Sequence, residues 1–386
     1  MKILFVTSRF PYPLDKGDKL RAFYQIKYLS ADHDIHLISI IDEDMKPEWL
    51  EALQFYTKSI TLIRITPTER ILSVCGSFIH GLPIQIGWFY SKKIKNIIHS
   101  LYQEINPDHC FCQLLRMAEY AKDLKGPKTL DYMDGFGTSM DRRAKIVGFP
   151  LNIFFRMEAK RMKQYEKQIA KSFDNLTIIS QQDKSLFDFP DAERMLVLGN
   201  GIDEYFTDFH CENVEKKFDL VFVGNMSYLP NVESVKYTVN EIMPLLPEHF
   251  KFLISGTDPS SIVKSLASER IKVTGRVNDI RLSYLKGKVF IVSMWSGTGQ
   301  QNKILEALAL GIPCVTTKAV NNAIGAQPDK EILLAETREE FVQQILQLTS
   351  NPALYQRIAA LGKQFVRENY SWKQKGRILN SIFAAN

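Results

Sequence analysis

The stretch SGTGQQNKILEALALGIPCVTT, Ser296 to Thr317, reads as a small-residue turn, a helix and a buried strand, with another buried strand, Val289 to Met294, before it. Gly297 and Gly299 let the turn bend sharply and bring backbone N–H groups close to a ligand. The helix opens near Gln300 and stops at Gly311, with Pro313 as a second stop signal. Ile304, Leu305, Leu308 and Ala309 recur at helical spacing and are expected to face the core. Asn302, Lys303 and Glu306 share the opposite side, at separations that let them act together. A helix N-terminus with a lysine one turn in suits a phosphate, and a carboxylate a further turn down suits a pair of sugar hydroxyls. The same residues also read as an ordinary turn before an amphipathic helix carrying a solvated Lys303–Glu306 pair.

Outward from this stretch, strands at Phe218–Val223, Phe250–Ile254, Ile271–Val273, Cys314–Thr316 and Ile332–Leu334 alternate with helices, Val232–Leu245 among them. That alternation predicts a doubly wound parallel sheet. Its ligand edge includes Gly224, Asn225, Gly256 and Gly275. The first half repeats the pattern, with strands at Lys2–Ser8, Ile35–Ile41, Ile60–Ile65, His109–Cys112, Thr129–Leu130, Leu176–Ile179 and Met195–Leu198. The loop RFPYPLDKG after the first strand opens a helix, about Asp18 to Ser30, with Leu20, Phe23, Ile26 and Leu29 inward. Gly17 in that loop lies where open α/β sheets bind ligands, and Asp18, Lys19 and Arg21 stand on the first helical turn. Asp131 and Asp134 follow another strand end, as candidates for binding a sugar hydroxyl or taking a proton, and one of the two is expected to cap the next helix. Composition shifts at LGNGID, so domains are expected at 1–200 and 201–370, with a terminal helix in 371–386. Two such domains facing each other make a cleft for a small ligand.

A chain of 386 residues exceeds one ordinary core. The five cysteines form no zinc spacing and read as cytosolic thiols. MKILFVTSR is too short for a signal peptide, and no apolar run is long enough to span a bilayer. Asp42-Glu43-Asp44 is formally a D-x-D, but it precedes a helix whose dipole it complements, so no metal is expected there. The net charge of +6 is uneven. Residues 141–172 carry nine basic and three acidic residues with Phe149, Phe154 and Phe155 among them. A long basic helix bearing aromatics fits a peripheral contact with anionic membrane, or a surface helix docked by its aromatic end. No recognition motif for nucleic acid accompanies the charge.

KILFVTSRFPYPLDKGDKLR, NGID, FVGNMSYLPN and QNKILEALALGIPCVTT together resemble the bacterial GT-B glycosyltransferases of family four, over nearly the whole chain. The G-x-Q-N-K-x-L-E-A signature is similar to a subgroup from exopolysaccharide and surface-polysaccharide clusters. The resemblance implies two Rossmann-like domains about a cleft, the first holding the acceptor. It implies a nucleotide-sugar donor, retention of anomeric configuration and no metal or other cofactor. Glu306 holds the ribose hydroxyls on this reading; Gly17, Lys303 and the turn Gly297-Thr298-Gly299 meet the phosphates, with Gly224, Asn225 and Asn302 beside them. Asp134, Lys303 and Glu306 are the candidate catalytic groups. Three departures from the family pattern stand out. Thr298 occupies the first position of the usual E-x7-E, GNMSYLPN carries no basic residue, and the first-domain histidine has no counterpart, Asp134 standing near its place. The expected activity is sugar transfer to a surface-polysaccharide or lipid-linked glycan on the cytoplasmic face of the membrane. A nucleotide-sugar epimerase and a non-catalytic scaffold of the same fold are the alternatives.

Overall fold

The structure, a computed structural model, describes residues 1–386 apart from 80, 210, 212–213, 296–298 and 385–386. Short runs of Val, Ile, Leu and Phe bounded by turn residues make strands buried on both faces, as parallel sheets require. The first seven are β1 (Lys2–Thr7), β2 (Asp34–Ile41), β3 (Ser59–Arg64), β4 (His109–Gln113), β5 (Lys128–Met133), β6 (Asn175–Ile178) and β7 (Met195–Val197). They form a parallel sheet in the order β3-β2-β1-β4-β5-β6-β7. The remaining six are β8 (Phe218–Val223), β9 (Phe252–Ser255), β10 (Ile271–Val273), β11 (Gly287–Val292), β12 (Cys314–Thr316) and β13 (Leu333–Leu334). Their parallel order is β10-β9-β8-β11-β12-β13. In each sheet the winding direction reverses once, between β1 and β4 and between β8 and β11. Connections diverge there and open a crevice at the carboxyl ends of the strands.

The chain divides into two compact units, Met1–Gly199 with Lys373–Asn386, and Asn200–Trp372. The terminal helix Trp372–Ala384 buries Leu379, Ile382 and Phe383 in a cluster with Ile3, Phe5 and Ile35 of the first sheet and Leu29 of the helix Gly17–Leu29. Among the described residues no helix is long and apolar enough to cross a membrane.

The helix Gly17–Leu29 departs from the spacing-based expectation. It buries Lys19, Arg21, Ala22, Tyr24 and Gln25 along with Ile26 and Leu29, and leaves Leu20 and Phe23 half-buried. The reason is a buried carboxylate across the core. Arg21 and Asp131 both have 0% of their side-chain surface exposed. Arg21 Nε donates to Asp131 Oδ2 at 2.6 Å and Nη2 to Oδ1 at 2.9 Å, while Nη1 donates to the Leu198 carbonyl at 2.8 Å. Thr177 Oγ1 and Gln25 Nε2 also donate to the carboxylate, at 2.7 and 3.2 Å. A planar fork matched by a fully hydrogen-bonded carboxylate is the form in which a desolvated ion pair is tolerated.

Two further expectations are corrected here. Neither Asp131 nor Asp134 caps the helix Phe136–Ile146, whose N-cap Gly135 provides no side chain; Glu166 Oε1 instead accepts from the Gly137 N–H at 3.0 Å. The single basic helix is two, Phe136–Ile146 and Leu151–Ile169, packed together and joined through Gly148 and Pro150. Pro150 lacks an N–H and restrains Phe149, so the first helix cannot run on through it.

Arg21→Met or Asp131→Ala is expected to cost about 3–5 kcal/mol, because each leaves a buried charge without its partner. The double variant Arg21→Met/Asp131→Leu is expected to recover most of that loss. Urea unfolding of the full chain, followed through the first unit's transition, measures both; a single variant within about 1 kcal/mol of the parent contradicts the assignment.

Candidate active site

At the second sheet's switch point, backbone approaches backbone. The Gly224 N–H donates to the Ser255 carbonyl at 3.1 Å, and Gly256 sits at φ 142°, where a Cβ would come within 1.8 Å of the Gly224 oxygen. Only glycine fits at 256, so the loops after β8 and β9 can close on each other. Asn225 shapes the β8 loop, its Oδ1 accepting from Ser227 N at 2.8 Å and Ser227 Oγ at 2.7 Å, an Asx turn. Asn231, buried in the helix Leu229–Tyr237, donates Nδ2 to the Asn225 carbonyl at 2.7 Å and turns its Oδ1 to the ammonium of Lys303.

Lys303 comes from the helix Asn302–Ala309 after β11, so this hydrogen bond joins the two connections that diverge at the switch point. Its Nζ lies 5.0 Å from the Phe222 ring centroid. Burial lowers the ammonium to about 7, and the negative charge of Glu306 opposes that shift. Burial likewise raises the Glu306 carboxyl, against the hydrogen bond from Tyr284 and the charge of Lys303. Tyr284, with no exposed surface, donates its hydroxyl to Glu306 Oε2 at 2.6 Å and fixes the carboxylate.

The helix itself starts at Asn302, two residues later than its spacing suggests. Gln300 is committed elsewhere: its Oε1 accepts from the Asn200 N–H at 2.9 Å and its Nε2 donates to the Asn200 carbonyl at 2.9 Å. Asn302 Oδ1 completes this amide cluster, accepting from Gln300 Nε2 at 3.3 Å. Among the described residues no side chain caps the helix N-terminus, where Gln301 is the N-cap. The C-terminus closes as a Schellman motif, with Gly311 N donating to Leu308 O and Ile312 N to Ala307 O, each at 2.9 Å. Ile304, Leu305, Leu308 and Ala309 are buried as the spacing predicts. Gly299 adopts φ 77°. Gly297 and Thr298 lie outside the described residues.

The structure thus gathers Gly224, Asn225, Gly299, Asn302, Lys303 and Glu306 in the second unit, but employs Asn225 and Asn302 largely in shaping the loops. Asn231, Tyr284, Gln300 and Asn200 were missed. NGID and the Q-N-K stretch were both visible in the sequence, yet nothing in either announces a pairing 100 residues apart.

Gly17 and Asp134 lie in the first unit. Gly17 begins its helix, and a Cβ there would meet Met133 Cε at 3.3 Å. Asp134 follows Met133, which holds φ 64° beside a register shift in β5. The carboxyl of Asp134 is pushed up to about 7 by burial and then by the charges of Asp183 and Asp18, against Arg116 and Arg142. The D-x-D acids form ion pairs, Asp42 with Arg70 at 2.7 Å, Glu43 with Lys19 at 3.5 Å and Asp44 with Arg64 at 2.5 Å. Among the described residues no group of three or more His, Cys, Asp or Glu could hold a metal.

An uncapped helix N-terminus with a lysine, and a positioned carboxylate one turn on, can take a diphosphate and a vicinal diol. Residues 217–351 match the family described as Glycosyl transferases group 1. The chain is 22% identical over 417 aligned residues to an uncharacterised 44.6 kDa protein in the cps region of Klebsiella pneumoniae, covering all of both chains. It is similar in fold to HepE of Anabaena, solved with UDP and glucose, with TM-score 0.73 and 14% identity over the whole of each chain. A putative UDP-N-acetylglucosamine 2-epimerase from Listeria monocytogenes aligns with TM-score 0.59 and 13% identity over 99% of this chain and 95% of that one. With two parallel-sheet units of this topology the chain has the GT-B fold, and residues 217–351, within its second unit, match the group 1 glycosyltransferase domain.

Proposed function

We propose that the protein moves a sugar from a nucleotide-sugar donor to a surface-polysaccharide or lipid-linked glycan acceptor, with retention of configuration and without a metal. The observation that carries this reading is the Lys303–Glu306 pair on an uncapped helix at the switch point. The UDP bound by HepE supports the donor class, and the cps-region relative supports the polysaccharide context. The second unit is the donor domain on this reading, and the first the acceptor domain.

In transfer, a bond forms from the acceptor oxygen to the anomeric carbon as the bond from that carbon to the diphosphate oxygen breaks. Negative charge grows on the departing nucleoside diphosphate, where Lys303 and the helix N–H groups receive it, a task otherwise given to a metal. Glu306 holds the ribose hydroxyls, with Tyr284 fixing one of its oxygens. Asp134 takes the proton of the acceptor hydroxyl, and a carboxyl near 7 is matched to that work. Gly17 and Gly299 bring the backbone close to the phosphates, and Gly224, whose own N–H is held by the Ser255 carbonyl, keeps the β8 loop free of a side chain there. An epimerase differs in needing no acceptor, so a donor whose sugar inverts in the absence of acceptor favours that alternative.

The hairpin of the helices Phe136–Ile146 and Leu151–Ile169 supports peripheral attachment to the cytoplasmic face of the membrane. Phe149 is 81% exposed at its tip, beside exposed Ile146, Leu151, Ile153 and Met157. All three acids of residues 141–172 are turned to protein partners: Asp141 to Lys163, Glu158 to Arg161 and Glu166 to Gly137. Arg143, Lys145, Arg156 and Lys160 are left exposed around the apolar tip. Such a surface suits an anionic bilayer, each basic residue contributing about 1 kcal/mol near it.

Glu306→Ala is expected to abolish sugar transfer while the chain stays folded, at a cost of about 1–3 kcal/mol for the Tyr284 hydroxyl that loses its acceptor, and an unaffected rate would sink the assignment. Lys303→Met is expected to keep or raise the melting temperature, since a lowered ammonium pKa means that the charged form opposes folding, while erasing the stabilisation by UDP. The bound diphosphate raises the pKa of Lys303 above its free value of about 7, so binding takes up a proton above that pH. UDP affinity should therefore weaken by up to about tenfold per pH unit from 7 towards 9, by calorimetry; a flat profile contradicts the role of Lys303. On vesicles, Phe149→Ser/Ile153→Ser should abolish sedimentation with phosphatidylglycerol-containing bilayers. Equal sedimentation with neutral phosphatidylcholine alone would remove the electrostatic part of the argument.

A further inference from the structure

The carboxyl edge of the first sheet carries buried polar atoms whose hydrogen bonds are unmade. They are Asp134 Oδ1, Asp183 Oδ1, Arg116 Nε, Arg142 Nη1 and Ser8 Oγ. Four strand ends supply them, Ser8 after β1, Arg116 after β4, Asp134 after β5 and Asp183 after β6, with Arg142 from the helix Phe136–Ile146. Each such atom costs about 1–3 kcal/mol when left alone, and although others are unmade elsewhere in the chain, this edge alone joins two carboxyls and two guanidiniums among them. The backbone adds to this. Leu114 at φ 69° and Met133 at φ 64° are non-glycine residues in the left-handed region, just before Arg116 and Asp134. Strain of that kind costs about 1–3 kcal/mol and collects at ligand sites.

The cations are built for a planar anion. The Arg116 guanidinium carbon lies 4.9 Å from the Phe89 centroid and 5.3 Å from that of Phe136. Aromatic contacts of this kind hold the plane of the fork while its unpaired Nε is free to donate, which suits a carboxylate or a phosphate oxygen pair. Arg9, by contrast, is already taken by Asp18 at 2.7 Å. Burial lowers the pKa of Arg116, with the charge of Arg9 next, against Asp18 and Asp134, so an arriving anion relieves an unfavourable charge. Asp183 stands beside Asp134 with no exposed surface, one oxygen taken by Ser180 and the other unpaired. The edge therefore offers two carboxyls for hydroxyl groups and two guanidinium donors for an anion.

We propose that the acceptor of this transferase is itself anionic, its carboxylate or phosphate held by Arg116 and Arg142 beside the hydroxyl that Asp134 and Asp183 receive. The inference rests on the glycosyl-transfer reading, and it narrows the acceptor to glycans bearing a uronic acid or a phosphate, including the diphosphate of a lipid carrier.

The test uses the full chain with saturating UDP, so that the second unit's anion site is filled. Methyl β-glucuronide, methyl β-glucoside and a short prenyl diphosphate are titrated by saturation-transfer NMR. At least one anionic probe is expected to bind about tenfold more tightly than the neutral glucoside, as one charge-assisted contact supplies. Preference for the glucuronide identifies the ring carboxylate, and preference for the prenyl diphosphate the lipid-linked phosphate. Arg116→Gln should remove the preference, Arg116→Lys should keep part of it, and Arg142→Gln, which leaves the Arg116 stack on Phe89 and Phe136 in place, guards against a packing defect. Equal binding of neutral and anionic probes, no binding of either anion, or a preference untouched by both Gln variants overturns the proposal. The anion preference is also read without UDP, so a parent protein that fails to bind UDP strikes the donor assignment separately.

Discussion

A guanidinium with no exposed surface can stay charged only where every donor has a partner, and the first unit is arranged to meet that demand. Arg21 ties the helix Gly17–Leu29 to β5 through Asp131 and to the end of β7 through the Leu198 carbonyl, while Thr177 of β6 closes the carboxylate. With Asp131 drawn fully inward, the chain must turn before the next polar residue can reach the edge. The register shift between Asp131 and Met133, and the left-handed Met133, make that turn. Asp134 therefore emerges where Asp131 cannot. One buried ion pair decides which of two neighbouring carboxylates is available for chemistry.

The second unit solves the corresponding problem with amides. Asn231 braces the β8 loop with one end of its side chain and Lys303 with the other. Gln300 pairs with both backbone groups of Asn200, which fixes the approach to the Asn302–Ala309 helix without adding charge beside Lys303. Tyr284 holds Glu306 from a fully buried position. Neutral supports leave the local field to Lys303, the helix N-terminus and one carboxylate, so the charge of a ligand is felt by those groups rather than dispersed through a salt-bridge network.

What could be read from the sequence follows the range of the interactions. Strands and the loops at their carboxyl ends were legible because short apolar runs punctuated by glycine and proline are local signals. That Lys303 and Glu306 share one helix face was legible because residues three apart on a helix are neighbours whatever surrounds them. Arg21 was not: on the helix it looks like a first-turn surface residue, and only Asp131, 110 residues away, makes its burial tolerable. The cap on the helix Phe136–Ile146 was misassigned for the same reason, since Glu166 reaches it from the next helix and outcompetes the nearby aspartates. The basic segment was recognised by composition, but its division into two helices depended on what Gly148 and Pro150 permit locally. Its apolar tip became evident only when Glu158 and Glu166 proved to be buried and Asp141 paired with Lys163.

Where the polar groups are well served and where they are not is itself informative. Deep in the sheets two polar clusters are paired: Asp131 takes four hydrogen bonds, and Ser234, Thr238 and Ser293 form a closed hydroxyl cluster. At both switch points the opposite holds. Lys303 keeps an ammonium that burial disfavours, and Asp134, Asp183, Arg116 and Arg142 keep donors and acceptors with nothing to bond. Unmade hydrogen bonds occur elsewhere too, as at Gln25, His33, Arg70, His109 and Asn175; what sets the first unit's edge apart is that two carboxyls and two guanidiniums carry them together. On the proposed function, a charged, hydroxyl-rich ligand relieves the cost held there. That is the energetic shape of a binding site before the ligand arrives, since the cost carried by the free protein becomes differential affinity for what fills it.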